Sequence, residues 1–166
     1  EVSPEQLAAQ AAELVPHGNI GVAYTYNEPL IGYEYVQDCA SLVHEQGMVN
    51  VLVTNGTVEE EPWQALLPLI DAANIDLKGF TPAWHRRLGG DLETVKRSIA
   101  LAAERCHVEV TTLLIPGEND SEEEIRELAR WLASISSDIP LHLSRFFPRY
   151  RMMDRPPTPV EQVSRL

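Results

Sequence analysis

Apolar residues along this chain gather in five short runs, and each run stops at a cluster of polar groups. Gly21 to Tyr26 breaks at Asn27-Glu28-Pro29, where a proline cannot donate to a sheet ladder and the glutamate arrives as the strand ends. Asn50 to Thr54 runs into Asn55-Gly56, and Ala73 to Asp76 into Leu77-Lys78-Gly79. Val108 to Ile115 meets Pro116-Gly117-Glu118-Asn119-Asp120, and Ile139 to Leu143 meets Ser144-Arg145-Phe146. Short, continuous, β-branched runs of this kind suit a parallel sheet covered on both faces.

Between the runs the apolar spacing lengthens to three and four, the period of a helix. Ser3-Pro4-Glu5-Gln6 reads as a capping box opening a helix whose stripe is Leu7, Ala8, Ala11, Ala12, Leu14 and Val15, with Pro16 and Gly18 closing it. Gly32 to Gln46 carries Tyr35, Val36, Cys39, Leu42 and Val43 at helical spacing. Thr57 with Glu60 predicts a second capping box, ahead of Trp63, Leu66, Leu67 and Ile70. Thr81-Pro82 predicts a short helix containing Trp84 and His85, and Asp91 opens a longer one through Val95, Ile99 and Ala102. Ser121 with Glu124 predicts a third box, before Ile125, Leu128, Leu132 and Ile135. Arg145 to Pro159 has no period, and 15 such residues are long for a plain connection. That segment reads as a lid or substrate-facing loop, or else as a tail laid across the sheet.

Strict alternation of strand and helix predicts one α/β domain over residues 1–166, with a parallel sheet and right-handed crossovers. Periodicity does not choose between a curved barrel segment and a flat doubly wound sheet. No GxGxxG and no GxxxxGK[ST] follows any strand, which removes the usual support for dinucleotide binding and triphosphate hydrolysis. Polar groups after all five strands favour a barrel-like top, where strand ends converge on one cavity.

Composition narrows the partners. The 166 residues carry a formal charge of −12 with no basic stripe, which argues against nucleic acid as a partner. No run approaches the roughly 18 apolar residues of a membrane span. Two cysteines, Cys39 and Cys106, far apart in sequence, make neither a disulfide framework nor a CxxC signature, so a cytoplasmic setting is expected. Each cysteine reads as a small buried hydrophobe.

Candidate chemistry sits at the strand ends. Glu28 is placed either to receive an ammonium group or to cap nearby loop amides. Thr54-Asn55-Gly56 is either a ligand-approaching turn or an ordinary one. Asp76 and Lys78, in alternating positions, share a face as a ligand contact or as an ion pair. His142, inside an apolar run, is a core histidine or an imidazole facing a ligand. Glu28, Asp76 and His142 together have ligand types that suit a divalent metal. His17, His44, His85 and His107 are read as surface or helix-end residues.

TYNEP, LVTNG, NIDLKGF, VTTLLIPGENDSEEE, HLSRFFP and DRPPTPVE, in that order, closely resemble the radical S-adenosylmethionine enzymes of the pyruvate formate-lyase activating enzyme-like group. The nearest subgroup accompanies AMMECR1- and Memo-like proteins. The resemblance implies a partial (β/α)6 TIM-like barrel with helices outside, of which this chain would carry strands two to six. It implies a [4Fe-4S] cluster on a CxxxCxxC loop, with S-adenosylmethionine chelating the fourth iron. Asn27, Glu28 and Pro29 match the glycine-glycine-glutamate-proline element, with Tyr26-Asn27 standing where the glycines usually are, so the backbone path there departs from the family's. Thr54 and Asn55 match contacts at the next strand end. Asp76 and Lys78 match an acid–lysine pair, and His142 a histidine touching the cofactor. Thr111 stands where the activating enzymes place an arginine, and Arg145 is the substitute considered for part of that role.

The CxxxCxxC segment is not in this sequence, and Cys39 with Cys106 does not replace it. The opening Glu1-Val2-Ser3 runs straight into a helix, which fits a carboxyl-terminal part of a longer enzyme, catalytically silent by itself. An uncovered edge at its first strand would favour self-association. In the intact parent, the expected activity is reductive cleavage of S-adenosylmethionine to a 5'-deoxyadenosyl radical that abstracts hydrogen. The substrate that gives up the hydrogen would be a glycyl radical enzyme, another protein or a small molecule, with flavodoxin or ferredoxin as electron donor. The competing readings are a non-catalytic binding or scaffold module and a divalent-metal-dependent barrel lyase or aldolase.

Overall fold

The computed structural model describes residues 2–166. The five runs become β1 (Gly21–Tyr24), β2 (Val49–Thr54), β3 (Ala72–Asp76), β4 (His107–Leu114) and β5 (Leu141–Arg145). They form one sheet in the order β1-β2-β3-β4-β5, with every neighbouring pair parallel. Each strand is added on the same side as the chain advances. A doubly wound sheet reverses that direction at its switch point, so the α/β architecture is an arc of a TIM-like barrel.

Around it lie α1 (Pro4–Glu13), α2 (Tyr33–Glu45), α3 (Glu60–Leu66), α4 (Pro82–Arg87), α5 (Leu92–Ala103), α6 (Glu122–Ile135) and α7 (Val160–Val163). Leu52, Ala73, Ile75, Val108 and Val110 pack in one core with Val36 and Cys39 of α2, Trp63 and Leu66 of α3, Val95 and Ile99 of α5, and Leu128 and Leu132 of α6. The intervening strand residues Val51, Val53, Asn74, Asp76, Glu109, Thr111 and His142 are half-buried or exposed. The β-branched runs predicted a sheet covered on both sides; the structure covers one. Successive crossovers of a barrel all fall outside the arc, so the other face is left as the concave interior.

Two helix starts differ from the pattern. No side chain caps α3, whose N-cap is Glu59, and the Thr57–Glu60 box does not form. A start at Thr57 would put Pro62 where an intrahelical N–H is required; a start at Glu59 places it in the first turn, where none is. The Ser121 box is half formed: Ser121 accepts from the Glu124 amide at 3.2 Å, while the Glu124 side chain reaches instead to the Phe80 amide. The Ser3–Gln6 box forms in both directions.

After β5 the chain leaves the sheet, makes one 3-10 turn at Tyr150–Met152 and returns. Thr158, fully buried, closes the neck of this loop. Its amide donates to Phe146 O at 3.0 Å, its hydroxyl donates to Leu114 O at 2.6 Å and accepts from Phe146 N at 2.9 Å.

Gly21 lets β1 approach β2 closely, since a Cβ there would lie 1.9 Å from the Val49 carbonyl oxygen. Gly21→Ala is therefore expected to push β1 off the sheet edge and lower stability by at least about 2 kcal/mol. Urea unfolding checks this; an unchanged midpoint would contradict the close approach.

Candidate functional site

The first strand ends at Tyr24, two residues early, because Tyr26 (φ 69°) and Asn27 (φ 53°) both adopt left-handed backbone. That conformation favours glycine and strains a tyrosine. It turns the chain so that Glu28 points at the end of β2. Glu28 Oε1 accepts from Thr54 Oγ1 at 2.6 Å and from Leu30 N at 3.1 Å, and Oε2 accepts from Asn55 N at 2.7 Å. Pro29 opens a 3-10 turn, Pro29–Gly32, where its missing N–H leaves no bond unmade. The carboxylate is thus a loop cap and a clamp between two strand ends. A carboxylate offers about four acceptor sites, and three are taken; Oε2 keeps one for a further donor.

Thr54 is buried, and its Oγ1 also accepts from Gly56 N at 3.1 Å. Asn55 turns its Oδ1 to the Thr57 amide at 2.8 Å. Gly56 has φ 70°, and a Cβ there would meet Ile75 Cγ2 at 2.8 Å, so this turn admits only glycine without rearrangement.

Asp76 and Lys78 share a face, as alternation predicts, with Nζ 2.6 Å from Oδ2. Both are well exposed, so the pair contributes at most about 1 kcal/mol. Its backbone is held far more firmly. Lys78 O accepts from Trp84 Nε1 at 2.7 Å and from Asn119 Nδ2 at 2.8 Å. Gly79 O lies 3.0 Å from His85 Nε2, and Phe80 N donates to Glu124 Oε1 at 2.6 Å. His85 is therefore not a surface residue: it is 4% exposed, because the Thr81 cap aims the first turn of α4 at the end of β3. Asn119 and Glu124 are anchors that pattern reading passes over: Asn119 stands only as one member of the polar cluster after β4, and Glu124 reads as the partner of Ser121 in a capping box. Asn55, Thr57, Asp76, Lys78, His85 and the Gly89-Gly90 turn line a cleft of about 170 Å³ at these strand ends.

The register aligns Asp76 with Thr111 and Thr111 with His142, one row across β3, β4 and β5 on the open face. Thr111 Oγ1 donates to Asn74 Oδ1 at 2.9 Å. His142 is no core histidine: half its side chain is exposed, and Nε2 stands 2.8 Å from Glu109 Oε2. His107 Nε2 stands 3.2 Å from the other oxygen of Glu109. Hydrogen bonds from His107 and then His142 hold the Glu109 carboxyl below its usual range. Glu109 is a site residue the sequence reading missed, though His107, Glu109 and Thr111 put a polar group at every second place in an apolar run. Arg145 pairs with Leu114 on the helix-covered face, where Nε donates to Thr158 O at 2.7 Å. Strand alternation thus turns Arg145 away from Thr111, and it does not take over an arginine's place on the open face.

Glu28, Asp76 and His142 do not converge. Each has its own partner, and among the described residues no three His, Cys, Asp or Glu side chains could hold a metal ion. Cys39 is buried in α2, and Cys106 follows α5 with its thiol pushed up to about 11 by burial and the nearby Asp71 charge. Among the described residues no helix is long and apolar enough to cross a membrane.

The family model of the Radical SAM superfamily matches residues 1–132. Uncharacterized protein MJ0808 of Methanocaldococcus jannaschii is 37% identical over 165 residues, 98% of this chain and 48% of that protein. Uncharacterized protein MJ0804 of the same organism is 31% identical over 135 residues, 76% of this chain and 46% of that protein. The chain thus spans about half the length of the curated relatives it matches. Among solved structures, a domain of pyruvate-formate lyase-activating enzyme from Bacteroides vulgatus superposes with a TM-score of 0.69 at 22% identity, covering 87% of this chain and 89% of that one. Archaeal TYW1 superposes with a TM-score of 0.61 at 18% identity, covering 98% of this chain and 56% of that one. At these identities the superpositions establish a shared fold.

The depressed Glu109 carboxyl implies a pH dependence with a definite sign. A carboxylate whose folded value lies below its unfolded value adds stability above the unfolded value, near 4.5, and loses it as pH falls through the folded one. Carbon-detected NMR titration should place the Glu109 midpoint lower in the native chain than in a His107→Ala/His142→Ala variant. Equal midpoints would mean that the histidines do not bear on it.

Proposed function

The chain belongs to the Radical SAM superfamily, and on that premise we propose that it forms the cofactor-holding strands of a radical S-adenosylmethionine enzyme. The free acceptor site on Glu28 Oε2 is the observation that carries this reading. A carboxylate already fixed by Thr54 and Asn55 needs no reorganisation to accept one more donor, and an ammonium group suits it. The left-handed Tyr26 and Asn27 support the same reading. Left-handed backbone is what glycines adopt without strain, so its presence ahead of Glu28-Pro29 suits a place where paired glycines usually stand.

In this proposal Asn27 and Pro29 shape the turn that presents Glu28, and Glu28 accepts from the amino group of the methionine moiety. Thr54 and Asn55 fix the neighbouring strand end. Asp76 and Lys78, on a loop pinned by Trp84, Asn119, His85 and Glu124, offer one acceptor and one cation to the rest of the cofactor and to substrate. His142, oriented by Glu109, and Thr111 extend the same polar row across the concave face. When bound with a [4Fe-4S] cluster, S-adenosylmethionine supplies a 5'-deoxyadenosyl radical for hydrogen abstraction. These 166 residues contain two cysteines, Cys39 and Cys106, fewer than the three thiolates a cluster takes; in this proposal a longer polypeptide would supply them and the chain alone would be inactive. The resemblance to activating enzymes points to a protein glycine as the hydrogen donor and to flavodoxin or ferredoxin as reductant, in a cytoplasmic setting. A divalent-metal lyase finds no convergent ligand set here.

The test is 5'-deoxyadenosine formation by the longer polypeptide after anaerobic cluster reconstitution and reduction. Turnover is expected, and Glu28→Gln should weaken S-adenosylmethionine binding about 10- to 100-fold by removing one charge-assisted hydrogen bond. Cluster-loaded protein that neither binds nor cleaves the cofactor would leave a cofactor-free binding module as the surviving account.

A further inference from the structure

The loop between Phe146 and Thr158 is rich in arginine in a chain that is acidic as a whole. Arg145 to Pro159 contains four of the chain's 13 cations against one of its 25 acids. Arginine ion pairs among the described residues are those of Arg87, Arg97, Arg126 and Arg155. Arg149 and Arg151 are exposed and have none, although the protein has a large excess of carboxylates. Beside them lie large apolar side chains in water: Tyr150 is 81% exposed, Met153 68% and Phe147 55%. The guanidinium of Arg151 stacks 5.0 Å from the Tyr150 ring, and that of Arg145 lies 5.0 Å from the Phe147 ring. Such stacking holds Arg151 and Tyr150 outward at little cost and leaves the Arg151 N–H fork free for a carboxylate, while Arg145 keeps its Nε on Thr158 O.

The loop is also fixed from below. Thr158 ties its neck, and Arg155 donates to Pro116 O at 3.1 Å and pairs with Glu118, which Arg87 holds at 2.7 Å from the other side. Met152 packs with Trp84, Ile115 and Phe146. Trp84 is the residue whose indole holds the Lys78 carbonyl, so the loop stands directly on the structure that positions the candidate site.

We propose that this loop is a docking surface for an acidic, apolar-containing segment of a partner protein. Free guanidinium forks recognise carboxylates in pairs, and the exposed rings and thioether offer the adjacent apolar contact that hot spots use. The charge of the whole chain decides between partners. A long polyanion such as nucleic acid would run from this small basic patch onto an acidic surface and be repelled. A short peptide segment meets only the loop. The proposal rests on the reading of the chain as part of an enzyme acting on a protein: the loop would hold a flanking segment of that protein while the reacting residue enters at the strand ends.

Fluorescence anisotropy tests it without any cofactor. The probe is a fluorescein-labelled peptide of alternating glutamate and leucine, with a glutamine–leucine peptide and a single-stranded oligonucleotide of equal charge as controls. The acidic peptide should bind, and binding should weaken with added salt. Arg149→Glu/Arg151→Glu should reduce it at least about tenfold, and Tyr150→Ser severalfold, with thermal unfolding unchanged because all three side chains are exposed. Equal binding of the neutral peptide, equal binding by the arginine variant, or preference for the oligonucleotide would each overturn the proposal. S-adenosylmethionine binding by the longer polypeptide should be the same in the arginine variant, so loss of cofactor binding and loss of peptide docking report separately on the two readings.

Discussion

The structure depends on one asymmetry: the crossovers of the parallel sheet all lie on one side of it. Alternate residues of each strand are therefore buried against helices, and the residues between them face a concave surface that none of the described residues covers. The buried set is mostly apolar; Asn50, Thr54 and Thr112 are its polar members, and Asn50 makes the most connections. It is fully buried, with its amide donating to Ala40 O and Leu69 O and its carbonyl accepting from Tyr24 Oη, so it joins α2 and β1 to the middle of the sheet without an unmet polar group. From β3 onward the uncovered set is largely polar: Thr111 donates to Asn74, His142 meets Glu109, and Asp76 pairs with Lys78.

A second level of order is built at the strand ends. Three of the loops are each fixed by one polar side chain: Glu28 spans from β1 to β2, Asn119 reaches the loop after β3, and Thr158 closes the loop after β5. In each case a single polar side chain satisfies two or more backbone groups that sheet pairing leaves open. Glu28 and Lys78 are consequently set on backbone that has little freedom, which is what the proposed cofactor binding would require.

Much of this is legible in the sequence because the period of the apolar residues reports directly on burial. Five strands, their order of appearance and most caps follow from it. The closure of the sheet does not, since strand order is a property of which edges pair. Nor do contacts made across long separations. Thr57 and Glu60 have the spacing of a capping box, yet Pro62 moves the helix start. Glu124 fits a box and instead serves Phe80. His85 has the pattern of a surface histidine and is turned inward by Thr81. At the candidate site, Glu28, Asp76 and Lys78 stand where their strand ends predict. Glu109 becomes visible only once β4 and β5 are set in register, because its significance lies in meeting His142. The same register removes Arg145 from the open face.

The central claim is that Glu28 holds the amino group of S-adenosylmethionine through the one acceptor site left on its carboxylate. A crystal structure of the longer, cluster-loaded polypeptide with S-adenosylmethionine bound tests it most directly. The account predicts the methionine nitrogen within about 3 Å of Glu28 Oε2, with the Thr54 and Asn55 contacts of the carboxylate retained. An amino group held elsewhere, with Glu28 engaged only by Thr54, Asn55 and Leu30, would contradict it and reduce Glu28 to a structural cap.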